Sequence, residues 1–275
     1  MGQAGDAFDE LARDLRIPPC PRILADFSAE AGRDDPDSRV LVRLIASDAG
    51  LSAAILKAVN SPLFGLSRQA GDVAQALTIL GLRAATQLIT SLLLRQAFPS
   101  AAGALMQRYW DDSLRTADAA MTLASQVRGT SRAEAHAFAL FRDCGLAVMI
   151  ARFPDYGDVM DAHAREPGPA LLAAEETRYR FHHARVGFAL ARGWHLPDAV
   201  CHAILFHHDI GAVAARSGEA GRADARLVAL GLAAEQVANL RQGAGLTSEW
   251  LTHEAWVLET LGLPAEDLAA LVAPA

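Results

Sequence analysis

Apolar residues recur every three to four positions along nearly the whole chain, whereas alternation with a period of two is almost absent. The longer repeat is typical of amphipathic α-helices with one buried face. In DDPDSRVLVRLIASD, for example, an acidic start is followed by Val40, Leu41, Leu44 and Ile45 on one stripe. The pattern therefore predicts an all-α fold.

Capping residues, proline and glycine divide this pattern into separate helices. Asp72 is expected to cap VAQALTIL, and Gly81 is expected to break that helix before LRAATQLITSLLLRQAF. The glycine-containing stretch 210–224 predicts a loop or short linker. PSAAG, at 99–103, is the candidate boundary between two packed subdomains, an N-terminal one at 1–100 and a second one at 104–275.

Composition and charge argue against several classes of function and location. The 275 residues carry a formal net charge of −7, and Lys57 is the only lysine, so non-specific nucleic-acid binding is not expected. The longest apolar runs fall short of the ~18 residues that a membrane span needs, and the charged N-terminus does not resemble a secretory signal. Three cysteines without a C-x-x-C pair are typical of a reducing compartment. We therefore expect a cytoplasmic protein that contacts neither nucleic acid nor membrane.

The segment AFALFRDCGLAVMIA places Arg142 and Asp143 inside an apolar stretch. Burying an ion without a partner or a metal costs several kcal/mol, so both charges need partners. Histidines concentrate further along the chain, at His182, His183, His195, His202, His207 and His208. They are either hydrogen-bonded core residues or metal ligands. Neighbouring helical positions point about 100° apart, so only one histidine of each adjacent pair is expected to face a site.

The stretch VNSPLFG predicts the end of a helix followed by a tight turn. Asn60 and Ser61 can hydrogen-bond helix-end or turn groups, and the following proline prevents continuation. Phe64, before Gly65, is also the kind of loop aromatic that a partner-binding surface uses. VNSPLFG is therefore either a helix end with a purely structural role or a loop that binds a partner. No sequence motif for nucleophilic catalysis or for a phosphate-binding glycine loop occurs.

Several long segments together resemble the HDOD domain family of bacterial signal-transduction proteins. These segments are IPPCPRILADF, DAGLSAAILKAVNSPLFGL, VAQALTILGLRAATQLITSLLL, YWDDSLRTADAAMTLA, AFALFRDCGLAVMIARFP and HHARVGFALARGWHLPDAVCHAILFHH. The N-S-x-x-F-G turn followed by A-x-x-x-L-G-L is the most specific of them. The resemblance spans about 15–210, with further helices after it. It implies an all-helical, degenerate relative of the HD-type metal phosphohydrolases.

The resemblance also implies which residues occupy the former metal site. Active HD enzymes hold a metal with a histidine, a His-Asp pair and a later aspartate, and Asp112, Arg142 and Asp143 fall at the first three positions. The fourth falls on RLVALGLAAEQVANLR, which has no aspartate. His183 and one of His207 and His208 resemble additional ligands of the two-metal HD-GYP branch. Because a guanidinium cannot coordinate a cation, we expect neither a metal cofactor nor catalytic residues.

Any metal that is bound would take its ligands from Asp112, Asp143, His183, His207 and His208. For Arg142 we hypothesise a salt bridge to Asp112 that replaces the metal as a cross-link between helices. Asp143 is expected to face away from its neighbour Arg142 and to accept a hydrogen bond from His183 or His207.

The resemblance implies a non-catalytic regulatory module that binds a signalling protein in trans. One alternative is a metal-dependent phosphohydrolase with an unusual ligand set. Another is binding of an anionic small ligand, such as a nucleotide, by Arg142 and the histidines. The apolar excess and the four tryptophans are compatible with a homodimer.

Overall fold

The chain folds into α-helices joined by short turns in a computed structural model that describes residues 13–61, 69–99, 103–130, 132–216 and 218–264. These ranges contain no β-strand. The all-α prediction is therefore confirmed.

Contacts divide the chain into two compact units. The smaller unit is Pro19–Ala97, and the larger combines the residues up to Pro18 with Phe98–Ala275. The predicted division at 1–100 and 104–275 differs from this one in its first residues. The indole N–H of Trp194 donates to the carbonyl of Pro18 at 2.9 Å, which ties the start of the described chain to the larger unit.

The smaller unit contains four helices, each with an apolar face turned inward. They are α1 (Arg22–Ala31), α2 (Ser38–Ala46), α3 (Ala49–Val59) and α4 (Val73–Ala97). Leu41 and Ile45, from the predicted stripe of α2, are fully buried. Together with Phe27 of α1 and Ile55 of α3 they form the core of this unit.

Helix α4 begins and bends where the sequence predicts. The Asp72 carboxylate accepts from the backbone N–H of Gln75 at 2.8 Å, as an N-cap should. Gly81 has φ 71° and ψ 164°, a conformation that only glycine adopts without strain, and the two arms of α4 meet there at 111°. In the described chain no single helix is long and apolar enough to span a membrane, although the two bent arms of α4 together reach that length and composition.

Asn60 ends α3 and secures the chain that follows it. Its side-chain amide donates to the carbonyl of Ala70 at 2.9 Å and accepts from the Ala70 N–H at 2.7 Å. The predicted hydrogen-bonding role of Asn60 is thus confirmed, while Ser61 is half-buried. Phe64 and Gly65 of the predicted interaction loop lie outside the described residues.

The larger unit is built around its longest helix, α13. Its helices are α5 (Ala104–Ala124), α6 (Arg132–Phe141), α7 (Cys144–Arg152), α8 (Tyr156–His163), α9 (Gly168–Tyr179), α10 (His183–Gly193), α11 (Asp198–Phe206), α12 (Ile210–Ala215), α13 (Gly218–Arg241) and α14 (Ser248–Leu261). Helix α13 packs against α5, α6, α11, α12 and α14, and α10 packs between α7 and α11. This arrangement brings the turns that follow α6 and α11 towards the same part of the interior.

The prediction of a loop or linker at 210–224 is wrong, because α12 and the start of α13 occupy most of it. Asp209 caps α12 by accepting from the Ala212 N–H at 2.9 Å. The Arg216 Nε lies 2.8 Å from a carboxylate oxygen of the buried Asp224, an ion pair that joins the connection to α13. Gly221 permits this turn, since a Cβ there would lie 2.5 Å from the Arg216 carbonyl oxygen.

Candidate functional site

A close crossing of α7 and α10 brings Asp143 next to His183. A Cβ built on Gly145 would lie 1.9 Å from the His183 carbonyl oxygen and 2.7 Å from the Gly187 nitrogen. Both obstructions are backbone atoms, so any side chain at Gly145 would force the helices apart. Asp143 precedes Gly145 by two residues, and His183 begins α10. The close approach of Gly145 to Gly187 therefore sets the distance between the Asp143 carboxylate and the His183 imidazole.

Arg142 is buried, with 5% of its surface exposed, and it is paired with two carboxylates. Its guanidinium nitrogens contact Asp143 Oδ2 at 2.9–3.0 Å, and Nη2 contacts Glu235 Oε2 of α13 at 2.8 Å. Gly231 leaves room for this side chain, because a Cβ there would lie 3.1 Å from Arg142 Cδ. The guanidinium thus joins the turn after α6 to α13.

The hypothesised salt bridge between Arg142 and Asp112 is wrong. Asp112 lies on the exposed face of α5, where its carboxylate pairs with Arg115. The expectation that Asp143 faces away from Arg142 is also wrong. Both residues lie in the turn between α6 and α7, outside helical geometry, so their neighbouring side chains can converge.

The Asp143 carboxylate oxygen that does not contact Arg142 faces three histidine side chains. We call these four side chains the histidine cluster. Its members are Asp143, His183, His207 and His208, and each offers one ligand atom within 4.8 Å of the others. Asp143 Oδ1 lies 3.0 Å from His207 Nε2 and 3.7 Å from His183 Nε2. The expectation that only one of His207 and His208 faces the site is wrong, because α11 ends at Phe206 and both follow it in a turn.

The other ring nitrogen of each histidine is already bound to an acceptor. His183 Nδ1 lies 2.9 Å from a Glu175 carboxylate oxygen, and His208 Nδ1 lies 2.8 Å from Glu249 Oε1. His207 Nδ1 lies 2.7 Å from the carbonyl oxygen of Ile204. A carbonyl only accepts, so Nδ1 of His207 carries the proton. In a neutral ring, His207 Nε2 then presents a bare lone pair to the cluster.

Glu175 is the residue that orients His183. Its carboxylate is fully buried and accepts from the backbone N–H of His183 at 2.9 Å as well as from the ring. The hydroxyl of Tyr156 donates to the same carboxylate. With both oxygens occupied, Glu175 fixes the ring so that Nε2 of His183 faces Asp143.

The electrostatics of the cluster favour a charged Asp143 beside neutral rings at His207 and His208. Burial alone would raise the pKa of Asp143, but the Arg142 guanidinium, His207 and His183 together outweigh burial and hold this pKa well below the usual range. Burial lowers the pKa of His207 to about 4 and that of His208 to about 3. Burial would also lower the pKa of His183, but the charge and hydrogen bond of Glu175 and the charge of Asp143 together outweigh burial and raise this pKa.

The cluster fits a single small cation. His207 Nε2 and His183 Nε2 are buried, and neither makes a hydrogen bond within the described residues. The 3.0 Å approach of His207 Nε2 to Asp143 Oδ1 therefore brings a lone pair up to a carboxylate. Ligand atoms around a tetrahedral Zn²⁺ lie roughly 3.3 Å apart. The two Asp143–histidine distances lie on either side of this spacing, and all four ligand atoms lie within 4.8 Å of one another. Three imidazoles and one carboxylate are ligands that Zn²⁺, Mn²⁺ or Fe²⁺ accept.

The same residues do not fit a second cation. Asp143 Oδ2 and Glu235 Oε2 are bound to Arg142, whose permanent charge repels a cation. Asp112, which the resemblance placed among the ligands, is exposed and lies outside the cluster. Asp112 does line a cleft of about 250 Å³ together with Arg142 and Asp143. The cleft and the cluster thus share Asp143.

Three functional carboxylates were missed from the sequence: Glu175, Glu235 and Glu249. Glu235 had a signal, because it lies on the helix where the resemblance implied a fourth acidic ligand, and only aspartate was considered there. Glu175 and Glu249 had no such signal in the sequence. Each lies among other polar residues of its helix and contacts its histidine only through the packing of distant segments.

The described chain has an all-helical, HD-like fold. The sequence profile of the HDOD domain matches residues 17–210. The chain therefore belongs to the HDOD domain family.

The chain is also similar to individual proteins of known sequence or structure. An uncharacterised protein of Treponema pallidum (strain Nichols) is 27% identical over 195 residues, which are 70% of this chain and 38% of that protein. The chain thus spans about two fifths of the length of this relative. An HDOD domain protein of unknown function from Geobacter sulfurreducens is 24% identical with a TM-score of 0.69, covering 96% of this chain and 91% of that one. A candidate phosphohydrolase from Shewanella amazonensis SB2B is 20% identical with a TM-score of 0.70, covering 95% and 91%. At these identities the two structures support the fold.

Proposed function

We propose that this chain is a non-catalytic regulatory module of bacterial signal transduction that acts by binding a protein or a small ligand. The observation that carries the proposal is the placement of Arg142. A buried, permanently charged guanidinium is bound to Asp143 and to Glu235, the acidic side chain that α13 contributes. Two-metal phosphohydrolysis needs carboxylates that are free to bridge cations and to orient a water. Here Arg142 already uses them.

Phosphodiesterase activity and metal content test this proposal together. Tag-free protein, purified without chelators, is analysed by inductively coupled plasma mass spectrometry and then assayed with bis(p-nitrophenyl) phosphate in the presence of Mn²⁺, Fe²⁺ or Zn²⁺. We expect no turnover above that of the Asp143→Asn variant. The Asp112→Asn variant is the matched control, because its carboxylate is exposed and lies outside the cluster. Turnover that Asp143→Asn abolishes and Asp112→Asn retains would overturn the proposal.

A second function, metal-dependent hydrolysis of a phosphate ester, is favoured by the buried Nε2 atoms of His183 and His207. Asp143, His183, His207 and His208 would hold one ion. A bound metal ion would supply polarisation of a phosphoryl oxygen and a more acidic water. Glu175 and Glu249 would keep two of the histidines oriented from behind.

The two functions differ in what metal binding produces. If the chain is a metal-dependent hydrolase, the His207→Gln variant should lose both its stoichiometric metal and its turnover of the phosphate ester. If the chain is a binding module, metal at the cluster raises the melting temperature without turnover. Stoichiometric metal by itself is compatible with either function, so turnover decides between them.

We further propose that the partner is a signalling protein bound in trans. Support comes from the family alone, which is related to signal-transduction proteins. Affinity capture with the full chain, compared with Phe64→Ala, tests the predicted interaction loop. Light scattering after size-exclusion chromatography tests the homodimer. A monomer that captures the same proteins with and without Phe64 would contradict both expectations.

A further inference from the structure

The cleft of about 250 Å³ beside the histidine cluster is lined at its base by buried hydrogen-bond donors. Arg142 and Tyr109 both line it, and each has only 5% of its surface exposed. The phenol oxygen of Tyr109 and Nη1 of Arg142 are buried and make no hydrogen bond within the described chain. A buried donor without a partner is costly, so such a pair beside a cleft indicates a place where a ligand supplies the acceptors.

The mouth of the cleft carries two more guanidinium groups. Arg108 and Arg115 lie on the same face of α5 and are about half exposed. Arg108 contacts Asp161 at 3.0 Å, and Arg115 pairs with Asp112, both as exposed ion pairs. Such surface pairs are weak and exchange partners readily. Each guanidinium has five donors, so both arginines can bind a ligand at the mouth.

The carboxylates of the cleft are already matched with arginines. Asp112 pairs with Arg115, and Asp143 and Glu235 pair with Arg142. Arg108, whose partner Asp161 lies outside the lining, is therefore the one of the three arginines that has no ion-pair partner among the cleft residues. Planar guanidinium donors match the oxygens of a phosphate, which can accept two parallel hydrogen bonds from one arginine.

We infer that this cleft binds a small molecule through a phosphoryl group, with Arg108 and Arg115 at the mouth and Arg142 and Tyr109 below. Its volume of about 250 Å³ lies just under the ~300–1,000 Å³ of pockets for drug-sized ligands. A phosphate with a short polar substituent fits this size, whereas a dinucleotide does not. The inference rests on the proposed binding function and names the class of ligand.

Isothermal titration calorimetry on the full chain tests this inference. The protein is first treated with a chelator, so that binding through a cation does not contribute. The probes are inorganic phosphate and glycerol 3-phosphate, with glycerol as the uncharged reference and chloride to hold the ionic strength constant. We expect saturable binding of both phosphates, at least as tight for glycerol 3-phosphate, and no binding of glycerol.

Substitutions at the mouth connect the binding to this cleft. We expect Arg108→Ala and Arg115→Ala each to weaken phosphate binding at least tenfold, with unchanged tryptophan fluorescence. Arg192→Ala is the matched control, since that guanidinium is equally exposed, pairs with Asp198 and lies outside the cleft. An absence of saturable binding, or equal affinity in Arg115→Ala and Arg192→Ala, would overturn the inference. That result would leave the proposed function standing, because the proposed function fails only if phosphodiester turnover appears.

Discussion

Replacing Gly145 by alanine should separate α7 from α10 and disrupt the histidine cluster. The added Cβ would lie 1.9 Å from the His183 carbonyl oxygen, about 1.5 Å closer than an ordinary van der Waals contact. Because the obstructing atoms belong to the backbone, no rotamer change can relieve the overlap. The two helices must move apart, and their interface then loses packing along its length.

The expected cost is about 4 kcal/mol. Overpacking a core typically costs about 1–3 kcal/mol where side chains can adjust, and a clash with backbone on both sides lies above that range. Gly193→Ala, at the other end of α10, is the control. Gly193 is exposed and a Cβ there meets no atom within 4 Å, so alanine should stabilise the protein by about 0.5–1 kcal/mol.

Urea denaturation followed by tryptophan fluorescence measures both variants. All four tryptophans lie in the larger unit, so the signal reports the unit that contains α7 and α10. Both substitutions are glycine to alanine and change the entropy of the unfolded chain similarly. Their difference therefore isolates the contact. Free energies of unfolding within ~1 kcal/mol of each other would refute the reasoning.

Other substitutions probe the buried charges. Arg142→Ala should lower the free energy of unfolding by about 3–5 kcal/mol in urea denaturation, because Asp143 is left buried without its cation; a loss below ~1 kcal/mol would contradict a structural role for this pair. Tyr156→Phe should cost about 2 kcal/mol by the same assay, since Glu175 loses a donor, and an unchanged midpoint would contradict this. Burial lowers the pKa of His136 to about 4. As the pH falls from 6.5 towards 4, the unfolded chain therefore binds a proton at His136 and the folded chain does not, which destabilises the folded state. Between pH 7 and pH 5 the wild type should therefore lose about 2 kcal/mol more stability than His136→Gln, and parallel losses would show that His136 is not the cause.

Local patterns were sufficient for most helices and for the class of fold. Asp72 and Gly81 acted as predicted, because a cap and a left-handed residue depend on only a few neighbouring residues. The loop prediction for 210–224 was wrong because an ion pair between the half-buried Arg216 and the buried Asp224 holds this glycine-containing stretch against α13. That pair depends on tertiary packing, which the local pattern does not contain.

The candidate site was predictable only as a set of positions. Asp143, His183 and the two later histidines were identified from the resemblance, and the structure brings them together. For the partner of Arg142, the resemblance indicated only the helix that carries it. The pairing with Glu235, 93 residues further along the chain, depends on the packing of α13 and was not predicted. Helical geometry was also applied where it did not hold, since Arg142 and Asp143 lie in a turn.

The contact between Trp194 and Pro18 has a consequence for the order of folding during synthesis. It joins residues 176 positions apart, and the whole of the smaller unit lies between them in the chain. The ribosome therefore completes Pro19–Ala97 as a continuous, self-contained segment long before the larger unit has its core. The Pro18 carbonyl must wait for Trp194, just after α10, to emerge, so an early-made residue of the larger unit receives this contact late.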